Sequence, residues 1–282
     1  MEDAAGTTFR VLAAFHRFRT PARVRDALLD HLVVDSLVAG LSADGRAAIE
    51  AEVGSLTSAG VRTLAVDEAG FPARLFHRGR AMVPALFYSG NIELLREPCV
   101  SVSGSRDVSD AGASAATRLG EIMAAERVCL VAGNARGVDS LAARSALMHG
   151  GRSILVLPEG ITCFRPSPTL ERMFTATNHL IVSQFPPGQK WATRNAMARN
   201  RVICGLGEQL IVVEARERGG SLAAGREALK LNKPVLALTY GRDEPRGNAM
   251  LIEDGAAPID TPQQLRYELA KPWQPPEQGT LL

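Results

Sequence analysis

Short apolar runs alternate with helically spaced segments over most of the chain. Runs at 61–66, 99–103, 128–132, 153–158, 179–185, 209–215 and 234–240 read as strands. Segments at 110–125, 138–149, 195–206, 221–231 and 247–254 repeat apolar residues at helical spacing. β-branched runs separated by amphipathic helices call for a mostly parallel sheet covered on both faces. Right-handed crossovers make this an α/β fold, an extended Rossmann-like doubly wound sheet. A small helical region precedes it. Phe9, Val11, Leu12, Ala14 and Phe15 open an apolar face, which Leu28, Leu29, Leu32, Val33, Leu37 and Leu41 continue. Pro21 and Gly40 divide that stretch into two or three helices, and a further helix from Arg46 to Ala59 ends at Gly60. Leu86 and Phe87 lead into Tyr88-Ser89-Gly90-Asn91, which reads as a turn. The expected organisation is a helical N-terminal region over 1–60, a Rossmann domain over 61–265 and a tail over 266–282. The tail, with Lys271-Pro272-Trp273-Gln274-Pro275-Pro276, is too short and proline-rich to fold alone.

Composition narrows the class without naming a function. With 46% hydrophobic and 22% charged residues in 282, the chain reads as an ordinary globular protein. No apolar run approaches the ~20 residues that span a bilayer. Met1-Glu2-Asp3-Ala4 lacks the basic start and apolar core of a signal peptide, so a cytoplasmic location and no membrane partner are expected. A net charge of +2 does not declare a nucleic-acid binder, so any basic site has to be local. Cys99, Cys129, Cys163 and Cys204 form no Cys-x-x-Cys pair; Cys129 and Cys204 sit in apolar runs and read as buried free thiols. The five histidines form no His-x-x-x-His pair, and no metal site is expected from them.

The chemistry concentrates in loops that leave strands. Val100-Ser101-Val102-Ser103 runs into Gly104-Ser105-Arg106, and Val128-Cys129-Leu130-Val131 runs into Ala132-Gly133-Asn134-Ala135-Arg136-Gly137-Val138-Asp139. A strand, a glycine loop and a helix N-terminus make an anion seat, to which an arginine adds a planar charged fork. The spacing fits neither Gly-x-Gly-x-x-Gly nor a Walker loop, and there is no Gly-x-Ser-x-Gly elbow. NAD binding and ATP hydrolysis of those classes are therefore disfavoured, and Ser103 and Ser105 read as hydroxyl donors to phosphate. A third basic stretch lies between Glu171 and Glu208, where no acidic residue occurs and Arg172, Lys190, Arg194, Arg199 and Arg201 do. Its densest part, Arg199-Asn200-Arg201, is expected on the same rim as the two loops. A fourth loop follows Val213-Glu214-Ala215, with Gly220-Ser221 capping the next helix.

Taken in order, these motifs resemble the DNA-processing protein A family (DprA, also called Smf). The resemblance rests on Gly104-Ser105-Arg106, the loop Ala132 to Asp139, Ser183-Gln184-Phe185-Pro186-Pro187-Gly188, Arg199-Asn200-Arg201-Val202-Ile203, Val212-Val213-Glu214-Ala215 with Gly220-Ser221-Leu222, and Gly247-Asn248 with Leu251-Ile252-Glu253-Asp254-Gly255-Ala256. It covers about residues 60 to 260. Asn134, Gln184 and Met197 depart from the family pattern, and the loop Glu159 to Pro166 lacks its usual Asp and Tyr-Pro. The resemblance implies a homodimer that binds single-stranded DNA, protects it during natural transformation and loads the RecA recombinase, with no cofactor and no enzymatic turnover. Arg106, Arg136, Arg199 and Arg201 then become phosphate partners. Gly104, Ser105, Gly133, Gly137, Gly220 and Ser221 line the pocket, while Asn200, in the same set, and Asp139 brace its loops. Phe185 is either a core residue or a base-stacking one. The alternative is a nucleotide sensor or hydrolase on the same scaffold, for which Glu214 is the one candidate carboxylate. Its other reading is an ion pair with Arg199 or Arg201. A third possibility is a protein whose N-terminal helices recruit a partner.

Overall fold

The computed structural model describes residues 4–241 and 244–271, so the expected tail beyond 271 lies outside the described residues. Four helices come first: α1 (Ala4–Arg17), α2 (Pro21–Leu29), α3 (His31–Ala39) and α4 (Ala43–Ser58). Pro21 sits in the first turn of α2, where its missing N–H has no cost. Ser42 caps α4, and beyond its far end Gly60 takes a positive φ of 70°. That geometry lets the N–H of Val61 close back on Leu56.

The sheet follows. Its strands are β1 (Arg62–Ala65), β4 (Ala85–Gly90), β5 (Cys99–Ser103), β6 (Cys129–Ala132), β7 (Ser153–Val156), β8 (His179–Ser183), β9 (Leu210–Val212), β10 (Val235–Leu238) and β11 (Ala257–Ile259). A small separate hairpin of β2 (Phe76–His77) and β3 (Arg80–Ala81) lies between β1 and β4. The order across the nine-stranded sheet is β1-β4-β8-β7-β6-β5-β9-β10-β11. All pairings from β8 to β11 are parallel, and β4 runs against both its neighbours. The mostly parallel, doubly wound sheet expected from the sequence is thus the observed fold. The expected turn at Tyr88–Asn91 is corrected, because Tyr88, Ser89 and Gly90 belong to β4 and pair with Val182, Ile181 and Leu180. Gly90 is there for a close approach: a Cβ would press on the His179 carbonyl at 2.6 Å.

Helices α5 (Asp110–Ala125), α6 (Val138–Met148), α7 (Pro168–Glu171), α8 (Thr193–Leu206), α9 (Gly220–Lys230), α10 (Arg246–Glu253) and α11 (Pro262–Ala270) complete the fold. α11 runs across positions 265 and 266. Strand order grows outward from β5 in one direction through β6 and β7, and from β9 in the other through β10 and β11. Right-handed crossovers therefore put α5 and α6 on one face and α9 and α10 on the other. Gly120 lets α5 and α6 touch, since a side chain there would overlap the Ala142 carbonyl. The sheet interior is mostly apolar, with Val100, Val102, Leu130, Val131, Ile154, Leu155, Val182 and Ile211 all buried, and the buried Ser101 and Ser183 hydroxyls donate to the Ile203 and Glu159 carbonyls. Cys99, Cys129 and Cys204 are buried free thiols and Cys163 is exposed. Among the described residues no helix is long and apolar enough to cross a membrane.

Candidate functional site

The two directions of winding part between β5 and β9. In an open α/β sheet that switch point, at the carboxyl ends of the strands, leaves a crevice that helices do not close. Here the loop after β5 carries Gly104-Ser105-Arg106 and the loop after β9 carries Glu214. The backbone of Ser105 joins them: its N–H donates to the Glu214 carbonyl at 2.7 Å and its carbonyl accepts from the Val138 N–H at 3.2 Å. Two glycines make this stitching possible. A side chain at Gly104 would overlap Val138, and one at Gly137, which has φ of 86°, would overlap the Ser105 carbonyl.

The glycine loops hold themselves together with the donors expected to hold a phosphate. The Ser105 hydroxyl is buried and donates to the Asp107 carbonyl at 2.8 Å, so its expected role as a donor to phosphate is corrected. A hydroxyl in that position needs a partner inside the fold. The Gly133 N–H is likewise used, by the Asp139 carboxylate at 3.1 Å. Asp139 thus braces its loop, as expected. Asn134 adopts a left-handed φ of 52°, a conformation asparagine tolerates better than most residues.

What the loops leave free is guanidinium. Arg106 is exposed. Arg136 is exposed too and pairs with Asp107, which also accepts from Arg216 at 3.2 Å. Exposed pairs of this kind are worth about 0–1 kcal/mol and yield readily to a better anion. Arg199, from α8, is different, being only 4% exposed. Its guanidinium lies against Gly133, where any side chain would overlap it. Its Nη1 donates to the Val156 carbonyl at 3.4 Å and its buried Nε has no protein partner. Burial lowers the Arg199 pKa, and the nearby Asp139 carboxylate opposes that. Burial also raises the pKa of Asp139, against the pull of Arg199, and that of Glu159.

Arg106, Gly133, Asn134, Ala135, Arg136 and Arg199 share one depression of about 390 Å³ with Leu157, Pro158, Glu159, Phe164 and Trp191. No sequence motif marks Trp191, and the aromatic candidate for stacking from the sequence is Phe185. Phe185 is buried at 8% exposure, whereas Trp191 is 51% exposed. The available signal was a tryptophan beside Lys190 in an acid-free, glycine- and proline-flanked loop.

Arg201 does not join this group, which corrects the expectation of one shared rim. It lines a second depression of about 710 Å³ together with Asn200, Arg218, Arg226, Glu227 and Lys230. Residues 199 and 201 stand two steps apart on α8, about 200° around its axis, and so face opposite sides. Asn200 donates to the Gly220 carbonyl at 3.3 Å and ties α8 to α9. Ser221 is not the cap of α9: the helix starts at Gly220, and Gly219, with φ of 149°, holds the cap position. Glu214 pairs with neither Arg199 nor Arg201. It accepts from the Ser109 hydroxyl at 2.6 Å and the Ser109 N–H at 3.1 Å, at the start of α5. Among the described residues no group of three or more His, Cys, Asp or Glu side chains is placed to hold a metal ion.

Fold and rim together define a Rossmann-like protein with an arginine-lined depression at the carboxyl ends of β5, β6 and β7. Residues 62–270 match the family DNA recombination-mediator protein A, and the chain belongs to that family. It is 36% identical over 186 residues to the DNA processing protein DprA of Streptococcus pneumoniae, covering 65% of this chain and 66% of that protein. It is 33% identical over 189 residues to the Smf protein of Escherichia coli, covering 66% of this chain and 50% of that one. The matched segments thus span between half and about two thirds of these relatives. The solved structure of DNA processing protein A from Streptococcus pneumoniae superposes with a TM-score of 0.67 at 26% identity, covering 94% of each chain. DNA processing protein A from Helicobacter pylori, a structure described for its single-stranded DNA binding mode, gives 0.65 at 25% identity, covering 75% of this chain and 97% of that one.

Proposed function

We propose that this chain binds single-stranded DNA chiefly through its phosphates, in the crevice between the β5, β6 and β7 loops and the N-terminal half of α8. On this reading it acts as a homodimer that shields incoming DNA and passes it to RecA during transformation or recombination, without turnover. The observation that carries it is the gathering of Arg106, Arg136 and Arg199 around one depression that also holds an exposed tryptophan. Guanidinium groups on a rim and an aromatic beside them are the parts a groove needs to follow a single strand. The binding described for the Helicobacter pylori relative agrees.

Titration of labelled oligothymidine at several salt concentrations tests it. Affinity should fall steeply with salt, with a slope of about −0.7 per phosphate neutralised. Double-stranded DNA of the same length should bind more weakly. Salt-independent binding, or none, defeats the proposal. RecA-dependent strand exchange on DNA already coated by a single-strand binding protein tests the hand-over, and light scattering tests the dimer.

A further inference from the structure

The lining of the 390 Å³ depression divides by chemistry. Arg106, Arg136 and Arg199 suit a phosphate. Leu157, Pro158, Phe164 and Trp191 do not, and neither does Glu159, the one carboxylate in that lining. An ionised carboxylate only accepts hydrogen bonds. A phosphate placed against it would be repelled, but a nucleobase offers what these residues need: an apolar face and a polar edge. Glu159 and Trp191 are also held relative to each other. The Glu159 carbonyl accepts from the Ser183 hydroxyl at 2.6 Å, and the next residue, Gly160, donates its N–H to the Gln189 carbonyl at 2.7 Å, two residues before Trp191. Thr162 adds a hydroxyl bond to the Pro187 carbonyl at 2.6 Å. A side chain at Gly160 would overlap the Pro186 and Pro187 carbonyls, so the two loops touch backbone to backbone.

We propose that the depression is a base slot: one nucleobase of the bound strand stacks on Trp191 and donates its exocyclic amino group to Glu159, so that cytosine is favoured over thymine. The inference rests on the single-stranded DNA reading above. The cytosine N4 amino group donates, whereas thymine presents the O4 acceptor at the same edge and would face the carboxylate unpaired. Such a slot gives a phosphate-binding groove a modest base preference at one position of the strand.

The test uses the full chain and two labelled probes, dC12 and dT12, at one salt concentration. The expected result is that dC12 binds about fivefold more tightly or better. Glu159→Gln should bring the ratio close to one, weakening dC12 and strengthening dT12, because an amide both donates and accepts. Trp191→Ala should weaken both probes by about fivefold or more, and Trp191→Phe should restore most of the loss. In a Trp273→Phe background Trp191 is the only tryptophan of the chain, and its fluorescence should be quenched on binding. A ratio that Glu159→Gln leaves unchanged overturns the slot while leaving DNA binding intact. So does Trp191→Ala with full affinity. Failure of the unaltered chain to bind either probe overturns the DNA-binding reading itself. The dC12-to-dT12 comparison is a ratio between two probes on one variant, which partial loss of folded protein does not imitate, and rescue by Trp191→Phe guards the affinity comparison in the same way.

Discussion

The two depressions that flank α8 each take one arginine from the run Arg199-Asn200-Arg201 and differ in their chemistry. On one side, Arg106, Arg136 and Arg199 face a single carboxylate, Glu159. On the other, Arg201, Arg218, Arg226 and Lys230 share a larger space with Glu217, Glu227 and the apolar Met82, Val83 and Leu222. Two of those cations are already partnered, Arg201 with Glu227 at 3.5 Å and Arg226 with Asp254 at 2.7 Å. Size is thus a poor guide to the site. What distinguishes the smaller depression is its place over the loops after β5, β6 and β7, and a nearly buried guanidinium whose Nε has no protein partner.

The largest expected effect separates the two sides directly. Arg106→Ala with Arg136→Ala should lower affinity for single-stranded DNA by about a hundredfold or more, since each charged hydrogen bond contributes about 1.5–3 kcal/mol. The salt slope should shrink by about 1.4, at 0.7 per lost phosphate contact. The matching pair on the other side, Arg201→Ala with Arg218→Ala, should cost less than about threefold. Equal losses from both pairs would break the comparison.

Next comes stability. Arg199→Leu should destabilise the fold by about 3 kcal/mol at neutral pH, because it leaves Asp139 buried without its counter-charge. The sign of the pH dependence follows from the Asp139 carboxyl, which burial already holds above its ordinary range. Removing Arg199 raises it further, so the folded variant takes up a proton that the unfolded chain does not. The deficit should therefore shrink as pH falls from neutral toward 5. Urea denaturation at the two pH values measures this, and Arg201→Leu should stay within about 0.5 kcal/mol at both.

Glycine substitutions sharpen the contrast at smaller scale. Gly133→Ala has to displace the Arg199 guanidinium and should cost about 2 kcal/mol, with DNA affinity falling alongside. Gly219→Ala meets no atom within 4 Å, and its cost, about 1 kcal/mol, comes only from the φ of 149°. A Gly219 variant that loses DNA affinity as Gly133→Ala does would place the strand in the wrong depression.

Much of the fold was legible because burial on both faces of a parallel sheet leaves continuous apolar runs. The run at 99–103 coincides with β5, and the helical spacing over 110–125 coincides with α5. β4 escaped because Tyr88-Ser89-Gly90 has turn composition, while its pairing with β8 comes from 90 residues further along the chain. β11 is three residues long, too short to show a period. At the candidate site, the glycines and arginines stood out by composition. The duties of Ser105, Glu214 and Ser221 did not, since each depends on what lies across the crevice. Trp191 was visible as a residue but not as an exposed one.

The amino-acid sequence by itself determined the class of fold, the loops that leave its strands and the residue types that mark the family. Those are local facts, carried by periodicity, by glycine and by charge. Only the tertiary structure decided which arginines face each other. Helical geometry sends Arg199 inward against Gly133 and Arg201 outward to Glu227, although one residue separates them. It also decided that the hydroxyl of Ser105 and the N–H of Gly133 are taken by the fold, leaving guanidinium side chains and an exposed indole for a ligand. A donor's availability depends on what lies within 3 Å of it, and neighbours at that distance come from anywhere in the chain.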